Sequence, residues 1–108
     1  MMERFKIEKL NCDLIRTDGK NPPGLYSIEI NEKGERSFSY WRDQSPSKNI
    51  FLGLKGKQLL DNISNSDIFY YSGISAGILD ENQKQKLIKV GATADVCAFD
   101  FNFRHQLH

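Results

Sequence analysis

The sequence predicts an α/β fold, in which a β-hairpin precedes one parallel β-α-β unit. Two segments carry this prediction. Residues 24–42, GLYSIEINEKGERSFSYWR, alternate their side chains on both sides of a turn. Residues 67–104 contain two apolar runs separated by a helical pattern, an order that is typical of parallel strands joined by a helix.

The composition predicts one small domain. The chain has 108 residues, a hydrophobic fraction of 39% and a net charge of +1, so neither nucleic acid nor an anionic membrane is expected as a partner. No apolar run is long enough to span a bilayer, and MMERFKIEKL does not resemble a secretory leader. Cys12 and Cys97 fit no metal or redox spacing. We therefore expect a cytoplasmic protein with two reduced thiols and no metal site.

Three further elements are predicted on either side of the hairpin. Residues 2–9 are typical of a helix end, and residues 12–18, CDLIRTD, of a short strand. Residues 50–64 keep a helical spacing of apolar side chains, although Gly53 and Gly56 interrupt its start.

The hairpin turn determines which side chains share a face. NEKGE predicts a three-residue loop with Gly34 in the left-handed conformation. Strands 25–30 and 35–42 then pair so that one face carries Tyr26, Ile28, Phe38, Tyr40 and Arg42. Tyrosine hydroxyls beside a planar cation suit a polyhydroxylated acid. The same pattern also fits a half-buried hairpin whose aromatic side chains face a core.

The β-α-β unit is predicted from a strand at 68–71, a helix at 81–90 and a strand at 96–101. The first apolar run, 67–74, is typical of a strand covered on both faces. Asp80 is a plausible N-cap, with Gln83 completing a capping box. Leu87 and Ile88 are expected to face inward.

Ligands collect at the carboxyl ends of strands in open α/β sheets. At the end of the last predicted strand, Asp100, Asn102 and Arg104 alternate, so we expect them to point to one side while the strand lasts.

Five motifs along the chain resemble the middle third of ribokinase-like (PfkB-type) carbohydrate kinases. In order they are Gly-Leu-Tyr, Gly-Glu-Arg, Tyr-x-Arg, Ser-Gly-Ile and Asp-x-Asn-x-Arg. The resemblance is nearest to the members that phosphorylate 2-keto-3-deoxygluconate. It implies an α/β fragment of a three-layer domain: a single partial domain over 1–108, β-lid strands within 13–42 and a β-α-β portion of the main sheet at 67–108.

The resemblance also implies ligand contacts. Substrate-binding positions fall on Tyr26, Tyr40, Arg42, Ile74 and Arg104, and Asn102 falls on the nucleotide side. The implied function is the substrate-binding part of an ATP-dependent sugar-acid kinase that forms the 6-phosphate of 2-keto-3-deoxygluconate. ATP and Mg²⁺ are implied for the parent enzyme, a small-molecule sugar acid as its substrate, and a homo-oligomer through the lid strands as an assembly.

Two parts of the kinase pattern are absent from the sequence. The amino-terminal Gly-Gly substrate turn is missing, as is the distal Asp-Thr-x-Gly-Ala-Gly-Asp segment that supplies the phosphate-binding glycines and the catalytic base. GLKGK, residues 53–57, lacks the glycine spacing of a P-loop. We therefore expect no catalytic residue in this chain, no tight binding of ATP or Mg²⁺ and no phosphoryl transfer by the isolated chain.

Two alternatives stay open. A hairpin with free edges could serve as a free-standing binding or assembly module. GISAG, residues 73–77, matches the nucleophile elbow of α/β-hydrolases, with Ser75 as nucleophile, His105 as base and Asp100 as its partner. Against the hydrolase, the following helix is expected to begin only near Asp80, which is late for an elbow.

Overall fold

The computed structural model describes residues 1–103. Its regular elements are α1 (Met2–Ile7), β1 (Leu25–Ile30), β2 (Arg36–Trp41), a 3₁₀ helix (Pro46–Asn49), α2 (Gly53–Ser64), β3 (Ile68–Ser72), α3 (Gly73–Gly77), α4 (Glu81–Gly91) and β4 (Val96–Asp100). The strands form an antiparallel β1–β2 pair and a parallel β3–β4 pair. The predicted α/β class is confirmed.

The hairpin has the predicted register. Ile30 pairs with Arg36 and Tyr26 with Tyr40. Gly34 has a φ of 79°, and its backbone N–H donates to the Asn31 carbonyl at 2.9 Å, closing the turn. A glycine is favoured there because residues with a Cβ rarely adopt a positive φ. The loop thereby sets which residues face each other along both strands.

The short strand predicted over residues 12–18 is wrong. This segment contains a turn, in which the Ile15 N–H donates to the Cys12 carbonyl, and otherwise runs irregularly. The Arg16 guanidinium donates to the Ile50 carbonyl, which attaches the segment to the main body through a side chain. A strand needs a neighbouring ladder, and within the described part of the chain this segment pairs with none.

The β-α-β unit begins and ends close to the predicted positions. Ile68 pairs in parallel with Val96 and Ser72 with Asp100. Asp80 caps α4 by accepting the Gln83 N–H at 2.8 Å. The capping box is incomplete, because the Gln83 side chain reaches the Asp80 carboxylate and the protein interior rather than the Asp80 backbone N–H.

The core lies between α2 and α4. Its buried members are Phe51, Leu59, Ile63, Leu79, Leu87 and Val90. Leu87 faces this core as predicted, but the inward orientation expected for Ile88 is wrong, since its side chain is exposed. Val90, three residues after Leu87 on the same face of α4, is buried instead.

Only one face of the parallel pair is covered among the residues described. Phe69 and Tyr71 pack against the core, and Gly91 of α4 lies close to both rings. Ile68 and Tyr70 on the opposite face are exposed. The prediction of a strand covered on both faces is therefore wrong for this chain, because no described element packs on the second face.

Candidate functional site

The hairpin brings its aromatic residues onto one face. The Tyr26 ring centroid lies 6.3 Å from that of Tyr40 and 6.4 Å from that of Phe38. Phe38 and Tyr40 are stacked at 6.0 Å. All three side chains are exposed, so this face does not pack into a core. Within residues 1–103, the interpretation that these side chains face a core is therefore wrong, and the aromatic face is open.

Arg42 follows the end of β2 on the same side. Its guanidinium carbon lies 4.2 Å from the centroid of the Tyr40 ring, a cation–π contact that orients the side chain. Gly24 faces it, and a Cβ on Gly24 would lie 3.0 Å from the Arg42 Cβ. In the described part of the chain, Arg42 forms no ion pair with a carboxylate. Its planar set of donors can therefore take an anionic ligand.

A pocket of about 500 Å³ opens between the base of the hairpin and α3. Tyr26, Arg42 and Ile74 line it, so three of the predicted substrate positions lie around one cavity although they come from separate elements. Tyr40 does not line the pocket and contacts it only through Arg42. Arg104, the remaining predicted substrate position, lies outside the described residues.

The pocket also contains residues that the sequence analysis missed. Ser45, Ser47 and Lys48, from the segment between the hairpin and α2, supply hydroxyls and a second cation. That segment, RDQSPSKN, is polar and contains Pro46, a pattern typical of a connector. Nothing in its local pattern distinguishes Lys48 from the other lysines of the chain, because the contact depends on how the 3₁₀ helix packs beside α3.

A second cavity, of about 440 Å³, lies against the hydrophobic core and does not suit a sugar acid. It is lined by core residues such as Phe51, Leu59 and Leu87, and no charged residue of the described chain contributes to it. A carboxylate placed there would be desolvated without a compensating partner, which is costly. The pocket at Arg42 has the chemistry that an acid requires.

The carboxyl ends of the parallel strands hold a polar cluster. The Tyr70 hydroxyl donates to Asp100 Oδ2 at 3.3 Å, and the Asn102 N–H donates to Asp100 Oδ1 at 3.0 Å. Partial desolvation, with the Asp100 charge as a smaller cause, raises the pKa of Tyr70 above its ordinary value.

The alternation expected at the strand end is wrong for Asp100 and Asn102, and Arg104 lies outside the described residues. Strand β4 ends at Asp100, and Asn102 has a φ of 36°. A left-handed residue directly after a strand breaks the two-residue side-chain period. Asn102 therefore lies at the strand end as predicted, but its direction is set by a turn that the Asp100 carboxylate closes.

Ser75 does not have the geometry of a hydrolase nucleophile. The helix after β3 is α3, so the expectation that a helix begins only near Asp80 is wrong. Ser75, however, lies within the first turn of α3, where its N–H donates to Ser72 Oγ at 3.3 Å. Its φ is not positive, whereas a nucleophile elbow is a strained turn. Asp100 is bonded to Tyr70, and His105 lies outside the described residues.

Membrane-spanning helices and metal-binding clusters are both absent from residues 1–103. Among residues 1–103, no helix is long and apolar enough to cross a membrane. In the same residues, no three His, Cys, Asp or Glu side chains lie close enough together to hold a metal ion.

Comparison with known proteins relates the chain to carbohydrate kinases. No family profile matches it. Curated proteins, however, match 99% of its length, and the resemblance to PfkB-type sugar kinases is confirmed. More particularly, the chain is related to proteins named 2-dehydro-3-deoxygluconokinase, and 2-dehydro-3-deoxygluconate is another name for 2-keto-3-deoxygluconate.

Three of these relatives define the similarity. The proteins from Haemophilus influenzae, Escherichia coli strain K12 and Dickeya dadantii are 29%, 31% and 32% identical to the chain over 111 aligned residues. The match covers 35% of the Haemophilus protein and 36% of the other two. The chain thus spans about a third of the length of the curated relatives it matches.

Proposed function

We propose that the chain forms the substrate-binding part of an ATP-dependent sugar-acid kinase, which converts 2-keto-3-deoxygluconate to its 6-phosphate. The observation that carries the proposal is the pocket lined jointly by Tyr26, Arg42 and Ile74, in which the Arg42 guanidinium has no ion-pair partner among the described residues. The names of the relatives support the choice of substrate.

In this proposal, the hairpin is a lid that covers the sugar acid. Arg42 binds the carboxylate through two parallel N–H···O bonds, since its guanidinium has no competing ion pair in the described chain. Tyr26 offers its hydroxyl to a sugar hydroxyl. Tyr40 acts as a platform for Arg42 through the cation–π contact. We assign Ile74 a backbone contact, and Arg104 a second contact near the carboxylate.

ATP and Mg²⁺ belong to the proposed parent activity, but the residues of this chain do not fit them. Neither a phosphate-binding glycine loop nor a catalytic base segment occurs in the sequence, and the described residues supply no metal ligand set. We place Asn102 on the nucleotide side because it follows the carboxyl end of β4. The role of the chain itself is to bind and orient the acid.

The proposal extends to domain organisation and location. Residues 1–108 would form one partial domain, with the lid strands within 13–42 and the main-sheet portion at 67–108. A cytoplasmic location suits a reaction that consumes ATP, and Cys12 and Cys97 are free thiols in the structure.

The test is ligand binding to the isolated chain. In an NMR titration, we expect 2-keto-3-deoxygluconate to shift the amide signals of the pocket more strongly than fructose does. Arg42→Lys should weaken binding of the acid by about tenfold and leave fructose unaffected, because an ammonium cannot reproduce the planar fork.

Arg36→Lys is the matched control, since Arg36 lies at the far end of the hairpin. Equal binding of the acid and fructose would refute the acid specificity. An Arg42→Lys variant that binds the acid as well as the unaltered chain does would refute the role of Arg42. With ATP and Mg²⁺ added, the isolated chain should not phosphorylate the acid.

A binding or assembly module is the second candidate. The observation in its favour is the other face of the hairpin, where Leu25 is 62% exposed and its pairing partner Trp41 is 60% exposed. Exposed apolar pairs on a two-stranded sheet with free edges favour association with another chain. A homo-oligomer through the lid strands is compatible with the kinase proposal as well.

A further inference from the structure

Lys48 gives the pocket a second positive charge. It lies in the 3₁₀ helix Pro46–Asn49 and lines the pocket together with Arg42 and Ile74. The two cations come from different elements, so folding brings them to one cavity. Asp43 also lines the pocket, but its charge balances only one of the two cations, so an anionic ligand can pair with the remaining positive charge.

The backbone of Lys48 is held in place by a buried side chain. Gln83 is 1% exposed, and its Nε2 donates to the Lys48 carbonyl at 2.8 Å. Gln83 Oε1 accepts the Phe51 N–H at 3.1 Å, so the chain is fixed on both sides of residue 49. The Lys48 N–H also donates to the Ser45 carbonyl at 3.1 Å. The side chain of Lys48 therefore starts from a well-defined point in the pocket wall.

The ammonium of Lys48 is only weakly engaged within residues 1–103. Its ion-pair partner is Asp43, with Nζ and Oδ1 4.0 Å apart, at the limit of a salt bridge. The Asp43 side chain is fully exposed to water. Exposed ion pairs of this kind contribute little to stability, because water screens the charges and the long side chains lose entropy on pairing. The ammonium can exchange Asp43 for a ligand carboxylate at small cost.

We propose that Lys48 is a specificity-determining residue of the pocket, which binds the carboxylate of the sugar acid together with Arg42. This inference rests on the proposed function. Arg42 supplies a planar, directional fork, whereas Lys48 supplies a compact charge on a flexible stem. Together they distinguish an acid from a neutral sugar of similar size, because the neutral sugar leaves Arg42 without an anionic partner among the described residues and Lys48 with only the weak Asp43 pair.

The experiment is an NMR titration of the full 108-residue chain with 2-keto-3-deoxygluconate, and with fructose as the neutral probe. Lys48→Gln should raise the dissociation constant for the acid by about tenfold and leave that for fructose unchanged. The substitution retains the backbone carbonyl that Gln83 binds, so the fold should persist. Lys48→Arg should keep most of the affinity.

Two controls separate direct binding from other effects. Lys57→Gln removes the same charge from an exposed position of α2 outside the pocket, and should leave the affinity for the acid unchanged. Asp43→Asn removes the ion-pair partner of Lys48 and should leave the affinity unchanged or raise it. Weaker binding of the acid to Asp43→Asn, matching that of Lys48→Gln, would instead assign Lys48 to the ion pair and overturn the inference.

The remaining outcomes distinguish this inference from the function on which it rests. If the chain binds the acid and Lys48→Gln binds it equally well, the inference fails and the proposed function stands. Equal losses in Lys48→Gln and Lys57→Gln would indicate a long-range charge effect and would also overturn it. If the unaltered chain binds the acid no more tightly than it binds fructose, the proposed function fails, and the role of Lys48 fails with it.

Discussion

At the scale of single residues, Gln83 joins three parts of the chain. Its amide accepts the buried Phe51 N–H and donates to the Lys48 carbonyl and to Asp80 Oδ2. Replacing it by an apolar side chain would leave two backbone groups without partners in a dry environment. We expect Gln83→Leu to lower the free energy of unfolding by about 2–4 kcal/mol, measured by urea denaturation.

Gln85→Leu is the matched control. It lies on the exposed side of the same helix, and its amide donates only to the Glu81 side chain. Gln85→Leu should change the free energy of unfolding by no more than about 0.5 kcal/mol. If Gln83→Leu were as mild, Gln83 would be an ordinary buried residue and would not bind the backbone as described.

Gly56 lies inside α2, where glycine is normally less stable than alanine. Gly→Ala inside a helix usually stabilises by about 0.5–1 kcal/mol. Here a Cβ at residue 56 would lie 2.2 Å from the carbonyl carbon of Phe51, and backbone cannot give way as a side chain can. We therefore expect Gly56→Ala to destabilise the chain by about 1–3 kcal/mol in thermal or urea unfolding.

Lys57→Ala, at the next position of the same helix, is exposed and should be close to neutral. A stabilising Gly56→Ala would show that Phe51 does not pack against α2 at this distance.

At the scale of elements, the start of α4 depends on a charged cap. The backbone N–H of Gln83 and then its side-chain amide hold the pKa of Asp80 below its ordinary value. A depressed pKa in the folded state contributes stability above the unfolded value, and that stability is lost as the pH falls through the folded value.

Asp80→Asn should therefore be less stable than the unaltered chain at pH 7, and the difference should shrink as the pH falls below about 4. Urea midpoints at pH 7, 5 and 3 measure this. Glu81→Gln controls for general loss of negative charge, since Glu81 lies in the same first turn but does not cap it. A difference that is the same at pH 3 and pH 7 would contradict the assignment of the cap.

At the scale of the whole molecule, the uncovered surfaces are apolar. The outer face of the hairpin carries Leu25 and Trp41, and the open face of the parallel pair carries Ile68 and Tyr70. We expect the chain to self-associate with increasing concentration, and Trp41→Ser to shift it toward the monomer, because each buried Å² of apolar surface contributes about 25 cal/mol. Sedimentation velocity at several concentrations measures both effects.

Ile68→Ser distinguishes the two surfaces. If association proceeds through the hairpin, Ile68→Ser should sediment as the unaltered chain does. If only Ile68→Ser favours the monomer, the open face of the parallel pair is the contact and the lid is not.

The sequence alone determined the local geometry. The hairpin register followed from Gly34, since one left-handed residue in a short loop sets which residues face each other. The start of α4 followed from Asp80, since a cap acts within one turn. The order of strand, helix and strand predicted the parallel pair. The sequence predicted that Tyr26 and Arg42 share one face of the hairpin, because strand pairing and side-chain alternation are local rules.

The tertiary structure decided everything that depends on which elements meet. It placed Lys48 in the pocket, turned Gln83 toward Lys48 and Phe51, and left Ile68 and Tyr70 exposed. It also left residues 12–18 without a strand partner among the residues that the structure describes. The hydrophobic pattern and the residue propensities predict which side chains can be buried under a neighbouring element. Whether a neighbour covers it depends on packing between distant segments, which no short stretch of sequence encodes.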